Sequence, residues 1–230
     1  MLDDSKIRKS VYTTNLELSK SSLVIQNFGN ASSRSSSGFI IKPSGINLEK
    51  HSEKDMTTMD LSGNKIDGVL NPSSDEPTHR VLYKNSPYIG GVVHTHSKFA
   101  SAFAQANKSI DNYGTTHSDF SVSKILVTDQ LIEEEVLNNY EFNTGIKIIE
   151  KLGHAGLSFE ETPGILSIRH GVFSWGKNIE EAFKNAEIIE YIAELAYITK
   201  NINPMAETIE KYISKKHFQR KHGPDKYYGQ

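Results

Sequence analysis

The sequence predicts an α/β protein of three layers, α-β-α, with one central, largely antiparallel sheet. Short apolar, β-branched runs alternate along the chain with longer stretches whose apolar residues recur three or four apart, the two periods of strand and helix. The connections between many of these runs are turn-like, which suits antiparallel neighbours better than parallel crossovers. A chain of 230 residues can bury a large core in one domain, and no internal repeat or linker divides it, so residues 1–230 are expected to form a single unit.

Residues from about 4 to 21 read as a helix, with Ile7, Val11, Leu16 and Leu18 on one side, and Val24 to Phe28 as a short strand. The polar stretch Gly29 to Gly38, which contains Ser32, Ser33, Ser35, Ser36 and Ser37, reads as a loop or hairpin tip. Phe39 to Lys42 forms a strand that enters the turn Pro43-Ser44-Gly45. Asp55 to Leu61 and Lys65 to Val69 are strands joined through Ser62-Gly63-Asn64. Pro72-Ser73-Ser74-Asp75 precedes a helix through Tyr83, with Ser73 or Ser74 as its N-cap. Gly90 to Ser97 contains a strand, Lys98 to Ala106 a helix, Ile125 to Thr128 a strand, and 143 to 153 a helix carrying Ile146, Ile149 and Leu152. Thr115 to Asp119 reads as a polar loop, and Ile165 to Gly171 as a short strand ending in histidine. From Ile179 to about Lys200, Phe183, Ala186, Ile189, Ala193 and Ala196 mark a long helix whose apolar face is core or subunit contact. Asn203-Pro204 breaks it, and a last helix ends at Gly223-Pro224.

Composition narrows the chemistry. The net charge is -2, with 26 basic and 28 acidic side chains, so no global field draws nucleic acid or an anionic membrane. With 0 cysteines, disulfides, thiolate catalysis and thiolate metal ligation are all excluded, and histidine and carboxylate remain as strong ligands. The amino terminus carries no apolar signal segment and no run is long enough to span a bilayer, so the expected compartment is the cytoplasm. Neither Gly-x-Gly-x-x-Gly after the first strand nor Gly-x-x-x-x-Gly-Lys occurs, which leaves nucleotide sites without motif support.

Gly90-Gly91-Val92-Val93-His94-Thr95-His96-Ser97 is the most informative segment. Side chains two apart on a strand share a face, so the imidazoles of His94 and His96 can reach one cation. Two nitrogens do not complete a metal shell; His170, with Gly171 behind it, supplies a third ligand and leaves a position open to substrate. Each histidine by itself is as compatible with ordinary packing or hydrogen bonding. Asp75 is a candidate fourth ligand or ligand partner, and equally a first-turn aspartate favoured by the helix dipole. Gly29-Asn30, Pro43-Ser44-Gly45 and Ser73-Ser74-Asp75 are loops of small hydroxyl, amide and glycine residues. They could hold a phosphate with the help of a helix N-terminus, though turns and caps share this composition.

In order along the chain, Gly29-Asn30, Ile41-Lys42-Pro43-Ser44-Gly45, Pro72-Ser73-Ser74-Asp75, the His94–His96 segment and Gly114-Thr115-Thr116-His117-Ser118-Asp119 form one pattern. It continues through His170-Gly171, Trp175-Gly176-Lys177-Asn178 and Arg220-Lys221-His222-Gly223 to Tyr227-Tyr228-Gly229-Gln230. Over essentially its full length the chain resembles the L-ribulose-5-phosphate 4-epimerases of the class II aldolase and adducin-head superfamily. His-x-His with a later His-Gly identifies only the superfamily; Asp75, Thr-Thr-His-x-Asp and the Tyr-Tyr-Gly-Gln end are specific to the epimerase branch. The related fuculose-phosphate aldolases have glutamate where this chain has Asp75. The serine-rich run 32–37 replaces a longer, more charged loop.

The resemblance implies one divalent ion per subunit, usually zinc, on His94, His96 and His170 with Asp75 at or near it. It implies that Asn30, Ser44, Gly45, Ser73 and Ser74 hold the phosphate of a ketopentose, and that Thr115, Glu141 and His217 line the site. Asp119 and Tyr228 match the acid/base pair, contributed by a neighbouring subunit of a homotetramer, with the segment from about 217 to 230 as a tail covering the site. The implied reaction inverts C4 of L-ribulose 5-phosphate to give D-xylulose 5-phosphate, in L-arabinose or L-ascorbate breakdown. Because the C4 hydrogen is not acidified by the C2 ketone, the route is retro-aldol cleavage of C3–C4, rotation of the aldehyde and re-addition. A metal-dependent sugar-phosphate aldolase is the alternative, and a non-enzymatic scaffold like the adducin head a third class.

Overall fold

The structure is a computed structural model that describes residues 3–26, 28–223, 226 and 227. The chain opens with α1 (Asp4–Lys20), whose first turn is capped by the Asp3 carboxylate accepting from the backbone N–H of Ser5 and Lys6. The strands are β1 (Asn30–Ser35), β2 (Gly38–Ile41), β3 (Thr57–Met59), β4 (Lys65–Asp67), β5 (Gly91–Thr95), β6 (Gly164–Ser167) and β7 (Gly171–Gly176). The remaining α-helices are α2 (Glu76–Asn85), α3 (Lys98–Gln105), α4 (Thr115–Phe120), α5 (Glu133–Leu137), α6 (Tyr140–Ala155), α7 (Ile179–Ile202) and α8 (Lys211–His222). The strands form one sheet in the order β4-β3-β2-β1-β5-β7-β6, and every pairing is antiparallel.

Strand alternation sorts the sheet into two faces. Phe39, Ile41, Val92, Phe173 and Trp175 point to one side, where they pack with Leu82 and Tyr83 of α2 and Ile148 and Leu152 of α6. Ala31, Ile40 and Val93 point to the other, against Val11 and Leu18 of α1 and Ile179, Ala182 and Ala186 of α7. Along the same α7 side, Leu166 and Val172 meet Ala100 and Ala104 of α3 and Ile189, Ile192 and Ala193 of α7. Helices therefore cover both faces, as expected, and the long α7 buries its predicted alanine and isoleucine stripe. Among the described residues no helix is long and apolar enough to cross a membrane.

Several local expectations are corrected. The serine-rich run is no loop: it is β1, flanked by β2 and β5 in the middle of the sheet, with only residues 36 and 37 left for the hairpin turn. Ser32, Ser33 and Ser35 are buried, and Ser33 Oγ donates to Gly90 O at 3.2 Å. Ladder partners on both sides hold this strand, so it does without β-branched side chains. The described residues of the run 24–28 form no strand, because Gln26 takes a left-handed φ of 54° that interrupts an extended chain. Ile125 to Thr128 contributes only isolated bridges, Ile110 to Ile125 and Val127 to Leu166. The N-cap of α2 is Asp75, not Ser73 or Ser74, and it makes no side-chain cap bond. Residues 115–120 are the short helix α4. The strand before His170 ends at Ser167, and β7, unforeseen as a strand, is the neighbour of β5.

Candidate active site

His94 occupies the end of β5, directly opposite Asn30 of β1 on one side and Phe173 of β7 on the other. Its ring stacks on Phe173 with centroids 4.2 Å apart. Nδ1 lies 2.9 Å from Val172 O; a carbonyl only accepts, so the proton sits on Nδ1 and the Nε2 lone pair is left facing outward from the strand. His96, just past the strand end, brings its own Nε2 to 3.0 Å from that of His94. His170 arrives from the three-residue β6–β7 turn, in which Arg169 adopts a left-handed φ of 55°. This turn is pinned by Arg169 N–H donating to Ala104 O at 3.0 Å. Gly171 follows because a Cβ there would meet Thr95 O at 2.4 Å and His94 Cε1 at 3.1 Å. The His170 ring sits 4.7 Å from that of His94 and 5.0 Å from that of His96.

The ligand atoms of these three histidines lie within 4.8 Å of one another. Zinc–nitrogen bonds of about 2.0–2.1 Å in a tetrahedral shell separate ligand atoms by about 3.3 Å, so the cluster is close to the required dimensions. The buried Nδ1 of His170 has no hydrogen-bond partner among the described residues, an unsatisfied ring nitrogen within the cluster. Burial, then the neighbouring His94, pushes His96 down to about 4 and His170 down to about 3. Both rings are thus neutral, the ligating form, throughout the physiological range. The residues present fit a divalent ion.

Asp75 stands beside this cluster, its Oδ2 3.9 Å from His94 Nε2 and accepting from Asn30 Nδ2 at 2.6 Å. Burial works to raise its pKa, but His94, His79 and the Asn30 amide outweigh that and hold it below the usual carboxylate range. The three polar loops meet here. Ser44 N–H donates to Asn71 O at 3.0 Å and Ser73 N–H to Lys42 O at 2.9 Å, zipping the turns at 43–45 and 72–75 side by side. Gly29 joins them: its carbonyl accepts from Lys42 Nζ at 2.9 Å. A Cβ on Gly29, at φ +106°, would strike His94 O at 2.8 Å. Ser44, Gly45 and Ser74 are exposed at this corner, while Ser73 is buried. Lys42 had no assigned role in the sequence pattern. Burial lowers its pKa against the opposing pull of Asp75 and places a basic side chain among the loops; the apolar run Phe39–Lys42 concealed it as the polar end of a strand.

Glu141 follows Tyr140, whose ring lies 5.9 Å from that of His170. Its backbone carbonyl accepts from Thr78 Oγ1 at 2.5 Å, which ties α6 to α2. Asp119, Thr115 and His217 form a second group. Asp119 on α4 takes a two-pronged contact from Arg220, at 2.9 Å from Nε and 2.6 Å from Nη2, and His217 Nδ1 lies 3.1 Å from the same carboxylate. Lys221 Nζ lies 3.8 Å away. Burial is the largest single influence on the Asp119 pKa and raises it, but the hydrogen bonds from Arg220 and His217 and the charges of Lys221 and Arg220 together hold it below the ordinary value. Thr115 opens the same helix and is exposed. Among the described residues no hydrogen bond, ion pair or ring contact joins this group to the histidine corner. Tyr228 lies outside the described residues. A cavity of about 720 Å³ between α3 and α7, walled by Phe99, Phe103 and Tyr197, contains none of the predicted site residues.

The family model for the class II aldolase and adducin N-terminal domain matches residues 9–197. Among solved structures, an L-fuculose 1-phosphate aldolase superposes with a TM-score of 0.79 at 20% identity, covering 95% of this chain and 97% of its own. YgbL of Escherichia coli, a putative aldolase/epimerase/decarboxylase, gives 0.74 at 17% identity over 94% of this chain and 99% of its own. A sugar-phosphate aldolase from Thermotoga maritima gives 0.62 at 17% identity over 86% and 96%. At these identities the structures establish the shared fold, a seven-stranded antiparallel sheet between helical layers.

Proposed function

Because the chain belongs to the class II aldolase and adducin N-terminal domain family, we propose that it interconverts L-ribulose 5-phosphate and D-xylulose 5-phosphate by cleaving and re-forming the C3–C4 bond. The observation that carries this reading is the meeting, at one corner of the sheet, of three imidazoles, Asp75 and three hydroxyl- and amide-bearing loops. His94, His96 and His170, with Asp75 beside them, would hold one divalent ion per subunit, zinc foremost for a nitrogen-rich set without thiolates. Such an ion, when bound, supplies Lewis-acid stabilisation of the negative charge that develops on the sugar oxygens.

The rest falls to the protein. Asn30, Ser44, Gly45, Ser73 and Ser74 offer the phosphate hydroxyl, amide and backbone donors, and the Lys42 ammonium offsets its charge. This clamp has to retain the aldehyde fragment while its carbonyl rotates to present the other face. Asp119 and Tyr228 take and return the C4 hydroxyl proton, one for each epimer, with Thr115, Glu141 and His217 lining the site. Arg220 and His217 keep Asp119 ionised, so it enters the reaction as proton acceptor. The lack, among the described residues, of any hydrogen bond, ion pair or ring contact between the Asp119 group and the histidines supports a site completed by a neighbouring subunit of a homotetramer; residues 217–222, expected as the start of a covering tail, are instead part of α8.

A class II aldolase that releases its aldehyde is the second reading, favoured by the close superposition on an L-fuculose 1-phosphate aldolase. Zinc-loaded protein incubated with L-ribulose 5-phosphate separates the two. Appearance of D-xylulose 5-phosphate without free glycolaldehyde phosphate is expected. Accumulation of that aldehyde supports the aldolase, and no conversion at all removes the substrate assignment.

A further inference from the structure

Alternate residues of β1 meet every fourth residue around the start of α2. Asn30 Nδ2 donates to Asp75 Oδ2 at 2.6 Å. Two residues on, Ser32 Oγ lies 2.7 Å from His79 Nδ1 and 2.8 Å from Tyr83 Oη. Two further, Arg34 Nη2 donates to Tyr83 O at 2.8 Å, and its guanidinium lies 5.0 Å from the Tyr83 ring centroid. Residues two apart on a strand advance by about 6.6 Å and residues four apart on a helix by about 6 Å, so the two spacings stay matched over a few rungs. The result is a polar ladder between sheet and helix, and its top rung is the carboxylate next to the histidine cluster.

His79 is the member of this ladder that packing does not explain. Its accessibility is 0%, inside an otherwise apolar layer, where a leucine would cost no desolvation. Its ring meets Phe173 edge-on at 6.1 Å, the same phenyl on which His94 stacks. Nε2 is buried and has no partner among the described residues, and the titratable groups that act on the ring are Asp75 and His94. A single serine hydroxyl serves both His79 and Tyr83 by donating to one and accepting from the other, which fixes both rings. Asp75 lies four residues before His79, and its carbonyl accepts the His79 N–H at 3.1 Å.

We propose that His79 is a positioning residue, locked to β1 through Ser32, that sets the start of α2 and thereby holds Asp75 in place beside the metal ligands. This rests on the histidine cluster being a metal site. Groups that orient first ligands typically change metal affinity by about 10–100-fold when removed. The test is zinc affinity by chelator competition on the purified full chain, together with thermal unfolding of the metal-free protein. Ser32→Ala is expected to weaken zinc by about 10-fold and His79→Leu by more. His79→Asn, whose amide can meet the Ser32 hydroxyl, recovers most of the loss. In an Asp75→Asn background, Ser32→Ala adds less than about twofold, because both act through one carboxylate.

Lower thermal stability with unchanged zinc affinity in Ser32→Ala and His79→Leu overturns the proposal, as does full additivity with Asp75→Asn. If His79→Leu does not fold, Ser32→Ala, which removes one oxygen, decides alone. Parent protein that takes up no zinc removes the metal reading itself, an outcome distinct from equal uptake by parent and variants.

Discussion

The histidine corner and the Asp119 cluster both gather titratable side chains, and they handle charge in opposite ways. His94, His96 and His170 are presented by one strand end and one tight turn, His94 buried and the other two half-buried, with ligand atoms within 4.8 Å of one another and the His170 Nδ1 without a hydrogen-bond partner among the described residues. Asp119 sits between two helices, where Arg220, His217 and Lys221 already compensate it. The first gathers ring nitrogens around one point; the second surrounds one carboxylate with basic side chains. A metal site needs the former and a poised carboxylate the latter.

The sharpest way to break this comparison is to disable each half separately. His96→Ala is expected to abolish zinc loading and reduce turnover by at least about three orders of magnitude, while Asp119→Ala keeps its zinc and loses turnover. Mixed subunits of the two variants should recover part of the activity, since a shared boundary then contains one intact set. Retained turnover in His96→Ala, or no recovery after verified subunit exchange, would contradict the division.

Acid should separate the halves next. His79, His96 and His170 have folded-state values of about 3 to 4 against an ordinary 6.5. Below pH 6.5 the unfolded chain binds protons that the folded one refuses. Metal-free protein should therefore hold its full stability above that value and lose it progressively as the pH falls from about 6.5 to 4. The Asp119 cluster titrates in a lower window: its folded value lies below 3.8, so its contribution is present above 3.8 and is lost only as the pH falls through the folded value. A melting temperature that stays flat between pH 6.5 and 4.5 would refute the histidine assignment. The smallest effect is expected from Arg220→Gln. Losing a partly exposed ion pair should cost about 1 kcal/mol, or about 2–4 °C in melting temperature, with zinc affinity unchanged.

Much of the histidine corner was legible because its signals are local. His-x-His on a β-branched run and His-Gly at the next turn speak through spacing alone, and the loops at 29–30, 43–45 and 73–75 through composition. What escaped was whatever depended on a distant partner. Residues 32–35 of the serine-rich run have the composition of a loop and lie in a central strand, where His79 and Tyr83, far along the chain, satisfy Ser32. Lys42 looked like the end of an apolar strand until the fold carried Gly29 and Asp75 beside it. Ile125 to Thr128 had strand composition but found only isolated bridge partners.

From the residues alone came the alternation of strand and helix, the exclusion of thiolate chemistry and the identity of the imidazoles, since periodicity and side-chain type are properties of short stretches. Tertiary structure decided which polar residues are buried, which strand lies at the centre and which groups share a corner. Those outcomes turn on pairing between segments tens of residues apart, where a buried hydroxyl costs about 1–3 kcal/mol or nothing according to the partner it meets.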